Sequence, residues 1–299
     1  MSPREMIDPQ FSSQLSPEIS LRANNTYSRR SFLVGVLSIA GLSSGCQFNK
    51  QTTLRRPSRH SVQADQLLLL SDFKLSKDHP LFQDLVDLRE QVAEILNLPL
   101  NNNKVMVFLF SDETKYRQYM QATYPGLPSR RAYFVGTADE LAVYTFWGDR
   151  IQEDLRHEFT HGLLHAVLED VPLWLDEGLA EYFEVIGSEP GEINLDYARR
   201  LTTAIGNGWR PNMQRLEKLE QVSQMQRVDY QEAWAWVHFM LHGSPEAKTT
   251  LLSYLDDLKT TSTPGSLSGR LNADVPEIDV RMLSYLASLN SLGHHATSY

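Results

Sequence analysis

The residues whose types and spacing could do chemistry are Leu155-Arg156-His157-Glu158-Phe159-Thr160-His161, followed by Trp174-Leu175-Asp176-Glu177-Gly178. On an α-helix, residues four apart share a face, so His157 and His161 can offer two imidazoles to one metal ion. Glu158 then lies beside that ion rather than on it. Zinc takes four ligands, and a catalytic site uses three from the protein and leaves the fourth position to water. Such water loses its proton near neutral pH, and Glu158 is placed to accept it as general base. A third protein ligand has to come from downstream, where His165, Glu169, Asp176, Glu177, Glu181 and Glu184 are available.

Helix geometry narrows the choice. His165 sits a further turn along, about 6 Å beyond His161 at ~1.5 Å rise per residue, too far to meet the same ion. Asp170-Val171-Pro172 carries a capping candidate and a proline suited to a first turn, which predicts a second helix from Leu173 to Val185 returning antiparallel past the first. Glu177 is one turn into it, and Glu181, four residues on, shares its face. One of the two would be the ligand and the other a hydrogen-bond acceptor behind a ligand histidine, and spacing alone fits either order.

The pair HEFTH and WLDEGLAEY resembles the gluzincin metallopeptidases, in which HExxH is joined by a glutamate in a W-L-N-E-G-x-A type motif. LRHEFTHGLLH and PLWLDEGLAEYFE are more similar still to bacterial peptidase-MA-like domains, most of them without an assigned substrate. The resemblance implies one catalytic Zn²⁺ held by His157, His161 and Glu177, with Glu158 as general base and Glu181 orienting a ligand histidine. The fifteen residues between His161 and Glu177 are fewer than in the aminopeptidase branch. No Gly-x-Met-Glu-Asn type motif precedes His157, which argues against an aminopeptidase.

Composition bounds the partners. The chain has 299 residues, 41% hydrophobic, with a net charge of −9, the profile of a soluble globular protein of one or two domains. Scattered basic residues and an acidic balance exclude nucleic acid as a partner. The single cysteine, Cys46, rules out an internal disulfide. Ser28-Arg29-Arg30-Ser31-Phe32-Leu33 resembles a twin-arginine export signal opening an apolar run too short to span a bilayer. Leu42-Ser43-Ser44-Gly45-Cys46 resembles a lipoprotein processing box, with its leucine one position early. Residues 1–46 are therefore expected to form a signal with Cys46 as the lipidation site, and residues 47–61 a flexible tether. The protein would be an exported, membrane-anchored lipoprotein of the cell envelope.

The elements that must position the site begin after Asp65. Leu67–Leu70 reads as a short buried strand, Leu81–Leu96 as an amphipathic helix, Lys104–Phe110 as a buried strand and Ser111–Thr123 as a capped helix. After the turn Pro125-Gly126-Leu127-Pro128 come strands near Ala132–Val135 and Leu141–Trp147. Asn194–Lys259 is helical, the stretch after Thr260 reads as loop, and Pro276–Leu289 as a last helix. The expected fold is α+β and zincin-like: a small mixed sheet with helices, the active-site helix, then an all-helical subdomain. Boundaries fall at 62–190 for the first subdomain, 191–290 for the second and 291–299 for a disordered tail.

By the same resemblance, Leu141–Trp147 is expected at the sheet edge, holding an extended peptide by strand addition, with Tyr144, Phe146 and Trp147 shaping a side-chain pocket. Gluzincins also bring a tyrosine or histidine from the helical side to the oxyanion, for which Tyr230 is the first candidate and His238 the second. The expected activity is zinc-dependent peptide hydrolysis. Two other readings fit the same residues: an inactive zincin-fold assembly protein of the envelope, and a zinc amidase acting on cell-wall peptides.

Overall fold

The structure is a computed structural model that describes residues 21–22, 54–100, 103–168, 170–187 and 191–296. Arg29, Arg30 and Cys46 lie outside the described residues. The architecture is α+β, a small sheet followed by helices, as the residue pattern predicts.

In chain order the strands are β1 (Leu21–Arg22), β2 (His60–Ala64), β3 (Leu67–Ser71), β4 (Val105–Phe110), β5 (Ala132–Gly136) and β6 (Leu141–Phe146). The helices are α1 (Pro80–Ile95), α2 (Glu113–Thr123), α3 (Ile151–His165), α4 (Leu173–Glu184), α5 (Leu195–Gly206), α6 (Met213–Leu216), α7 (Arg227–His242), α8 (Pro245–Asp257), α9 (Leu267–Asp274) and α10 (Ile278–Ala296). Strand β2 takes the last two residues of the predicted tether. Helix α9 falls where a loop is predicted, and α10 continues to Ala296. No helix among the described residues is long and apolar enough to cross a membrane.

The sheet runs β1-β5-β6-β4-β3-β2, β1 being a two-residue parallel pairing on β5. The segment expected at the edge, β6, is interior: it pairs parallel with β4 and antiparallel with β5. The reason is the hairpin. The crossover through α2 carries the chain outward to β5, and the tight turn brings β6 back between β5 and β4, so the outer strand on this side, apart from β1, is β5.

Both faces of the sheet are covered, which is why β4 reads as an unbroken apolar run, Val105-Met106-Val107-Phe108-Leu109-Phe110. Val105, Val107, Leu109, Phe134 and Val143 belong to the core shared with α1 and α3, whereas Phe108, Phe110, Tyr133, Ala142 and Tyr144 pack on α2. Helix α3 seats Leu155, Phe159 and Leu164 at zero exposure against that first face; each such side chain stabilises by roughly 1.5–3 kcal/mol.

Two glycines set how closely the site helices approach their neighbours. A Cβ on Gly162 would stand 2.5 Å from Val105 Cγ1, and one on Gly178 would stand 2.8 Å from the backbone oxygen of Ala233. Gly178 therefore lets α4 lie against α7. Arg156 ties the layers together, donating from Nε to the Phe183 carbonyl at 2.9 Å and from Nη1 to Asp84 at 2.7 Å, so that α3 is fixed to both α1 and α4.

Candidate metal centre

Helices α3 and α4 pack antiparallel and bring His157, His161 and Glu177 to one buried point. None of the three exceeds 1% exposure. The two Nε2 atoms are 3.2 Å apart, and Glu177 Oε2 lies 3.6 Å from the first and 3.8 Å from the second. Ligands about 2.0–2.1 Å from a tetrahedral zinc stand roughly 3.3 Å from one another. The three atoms already have the spacing of one face of such a tetrahedron.

The hydrogen bonding makes the same point. His157 Nδ1 is 2.9 Å from Glu184 Oε2, which favours the tautomer with hydrogen on Nδ1 and a bare lone pair on Nε2. His161 Nδ1 is 3.1 Å from Asp176 Oδ1, a close ionic contact that is poorly aligned as a hydrogen bond, and it favours the same tautomer. Neither carboxylate oxygen of Glu177 has a hydrogen-bond partner. With both rings in that tautomer, three buried acceptors converge with no donor among them, an arrangement that is costly unless a proton or a metal cation joins it. Burial disfavours the imidazolium at His157, yet Glu177 and Glu184 outweigh it and hold the imidazole well above its ordinary pKa; at His161 burial is likewise outweighed, there by Asp176 and Glu177. The site calls for positive charge, and the donor set of two imidazoles and one carboxylate can hold a metal ion.

The outer ring differs from the expected one. Glu181 was the expected partner of a ligand histidine, but its Oε2 accepts from the Tyr197 hydroxyl at 2.8 Å. Glu184, one turn further along α4, reaches His157 instead. Burial and the neighbouring Glu184 push Glu181 well above the usual carboxylate range. The second partner, Asp176, spans two imidazoles, with Oδ2 3.1 Å from His165 Nε2. Burial alone would raise the pKa of Asp176; His161 and His165 instead hold it far below the ordinary value. His165, too far along α3 to join the three, thereby braces the carboxylate that contacts His161. Phe134 stacks on both rings, at 6.2 Å from His161 and 5.5 Å from His165.

Such outer contacts typically account for 10–100-fold in metal affinity. Asp176→Ala and Glu184→Ala are each expected to weaken zinc binding by about that factor, measured by competition with a chromophoric chelator. Glu181→Gln should change it less.

Glu158 is fully buried beside the group. Its Oε2 accepts from the Phe134 backbone N–H of β5, and its Oε1 has no partner. Burial raises its pKa and the nearby imidazoles lower it, with a net upward shift. One oxygen is therefore anchored and the other is free to carry a proton.

Tyr230, at the start of α7, is buried against Met225, Leu173, Leu219 and Val222, and its hydroxyl has no partner. Burial and the Glu177 charge raise its pKa, while Arg130 lowers it, so the phenol stays protonated as a donor. The second candidate, His238, is elsewhere: Nδ1 meets the Tyr285 hydroxyl at 2.7 Å and Nε2 the Gly191 carbonyl at 3.0 Å. Burial and His242 hold it at about 4. It is a packed core histidine, two helical turns beyond Tyr230.

The expected pocket aromatics do not meet the site. Tyr144 and Phe146 point to the α2 face, Tyr144 stacking on Phe108 at 5.1 Å. Strand alternation explains this: Val143 faces α3, so its neighbour at 144 cannot. Trp147 is 42% exposed and packs edge-on to Phe73 and His79. A cleft of about 660 Å³ lined by Arg130, Pro172, Leu173, Asp176, Leu219 and Val222, among others, reaches the metal group at Asp176, the residue before Glu177 and the partner of His161. Comparison of the chain with protein-family models and with curated proteins finds no match in either.

Proposed function

We propose that this chain is a zinc metallopeptidase of the gluzincin type, hydrolysing peptide bonds. The observation that carries the reading is the convergence of three buried potential ligand atoms on His157, His161 and Glu177 with one unpartnered carboxylate oxygen of Glu158 beside them. Zinc held there would supply Lewis acidity and lower the pKa of water.

The chain's own residues would do the rest. Glu158 Oε1 takes the proton of the attacking water and delivers it to the leaving nitrogen. The Phe134 N–H holds Glu158 Oε2 and so fixes which oxygen moves the proton. Tyr230 donates its hydroxyl hydrogen to the oxygen that becomes negative as the carbonyl is attacked. An extended substrate would lie along the start of β5 near Ala132, ahead of the Val135–Gly136 stretch that β1 pairs, where backbone groups give affinity independent of side chains.

Removing one such donor typically costs 10²–10³ in turnover. Tyr230→Phe is expected to lower kcat by about 100-fold with little change in KM, read on a quenched fluorescent peptide. Export and a lipid on Cys46 belong to the same proposal; mass measurement of the membrane-extracted chain tests them.

The reading itself is tested by incubating the zinc-loaded chain with an unfolded protein and, separately, with cell-wall peptide fragments, then reading new amino termini. New termini on the protein that vanish with a chelator and return with zinc are expected. Cleavage of wall fragments alone would reassign the chain as an amidase, and cleavage of neither would overturn the reading.

A further inference from the structure

Arg130 follows the turn Pro125-Gly126-Leu127-Pro128 and stands just before β5. Its neighbour Arg131 is anchored on the buried Asp154 at 2.6 Å. Arg130 is not anchored: its Nη1 is buried with no hydrogen-bond partner. A guanidinium keeps its charge at any physiological pH, and a buried charged donor left unpaired is more costly than a neutral one. Such a group is poised for an anion.

Its place in the fold says which one. The guanidinium carbon lies 5.9 Å from the Tyr133 ring centre, on the strand that holds Glu158, and its charge reaches the Tyr230 hydroxyl. Arg130 lines the 660 Å³ cleft beside the metal group and also a second cavity of about 300 Å³ walled by Tyr116, Met120, Tyr124 and Tyr133. Four acids share the cleft, Asp170, Asp176, Glu217 and Glu220, and none of them bonds to Arg130 Nη1; Asp176 is held by His161 and His165, and Glu217 by Ser266 and Ser268. Tyr230, whose phenol the Glu177 charge reaches, is the oxyanion donor of the proposed reaction. What remains for Arg130 is a negative group on another part of the bound molecule, and its planar fork matches a carboxylate.

We infer that Arg130 is a specificity residue that binds a carboxylate of the substrate in the cleft beside the metal group, either the terminal carboxylate of a peptide or an Asp or Glu side chain. That the ligand is a peptide rests on the peptidase reading; that it carries a carboxylate rests on Arg130.

The test measures binding as well as turnover. A fluorescent hexapeptide of neutral side chains, its C-terminal amide, and an amide carrying one glutamate are titrated by anisotropy onto the zinc-loaded full chain bearing Glu158→Gln, so that none is consumed. The free acid or the glutamate peptide is expected to bind at least about tenfold more tightly than the neutral amide, the scale of one charge-assisted contact. Tight binding of the first assigns the terminus as the source, and of the second the side chain. Adding Arg130→Gln should remove the preference, and Arg130→Lys should keep part of it. Equal binding of all three peptides to the Arg130 protein overturns the proposal, as does a preference that survives Arg130→Gln. A uniform loss of binding in both Arg130 variants also overturns it, because it marks a structural role. If wild-type protein cleaves no peptide, the peptidase reading fails, while the charge preference stands or falls by these titrations alone.

Discussion

Glu158→Gln is expected to abolish most turnover while leaving the metal in place. Glu158 has no contact that holds the metal group together; its Oε2 accepts from the Phe134 N–H and its Oε1 is unpartnered. Glutamine keeps an oxygen for Phe134, so the anchor on β5 survives and the fold with it. What disappears is the oxygen that can accept a proton. General bases of this kind contribute about 10²–10⁴, so kcat on a quenched peptide should fall by that factor with zinc still stoichiometric. A variant that cleaves at the wild-type rate would remove Glu158 from the chemistry, and a variant that loses zinc would make it a ligand.

Glu177→Ala is expected to do the converse. Both oxygens of Glu177 lack partners and one lies within 4 Å of the His157 and His161 imidazoles. Removing it takes away the anionic ligand and leaves only two nitrogens. A ligand that binds only the folded state stabilises it by RT ln(1 + [L]/Kd), about 2.7 kcal/mol at a hundredfold excess over Kd. The wild-type chain should therefore melt at a higher temperature with zinc than without, and Glu177→Ala should show no such difference. Glu181→Ala is the control, because spacing alone allows either glutamate to be the ligand. If zinc stabilises Glu177→Ala and not Glu181→Ala, the two roles are exchanged.

What the sequence disclosed and what it hid follow a physical line. His157 and His161 were legible because four residues on a helix is a local distance. The helix carrying Glu177 was legible too, since Pro172 marks its start. The partners behind the histidines were not. Glu181 and Glu184 lie on nearly the same face of α4, and which one reaches His157 depends on how α4 crosses α3, which follows from where β4 and α7 hold the two helices, approaches that Gly162 and Gly178 permit. Asp176 was visible only as one carboxylate among several until His161 and His165 appeared on either side of it.

The sheet shows the same limit. Strand β4 announced itself by an unbroken apolar run, but strand order is a matter of pairing between distant segments. The misplaced edge followed: β6 is interior, so Tyr144 and Phe146 serve the α2 face, and the backbone that meets Glu158 belongs to Phe134 on β5. Helix α9 escaped notice because only Leu267, Ser268 and Leu271 are buried, too few for a periodic signal, with Gly269 in its first turn. Arg130 carried no local signal at all; its meaning comes from the partner it lacks.

X-ray absorption at the zinc edge of the zinc-loaded full chain addresses the metal group most directly. Two imidazole nitrogens and oxygen ligands at about 2.0–2.2 Å are expected, in a four- or five-coordinate shell. A chain that takes up no zinc, or a shell of oxygens without imidazole, would contradict the site on His157, His161 and Glu177.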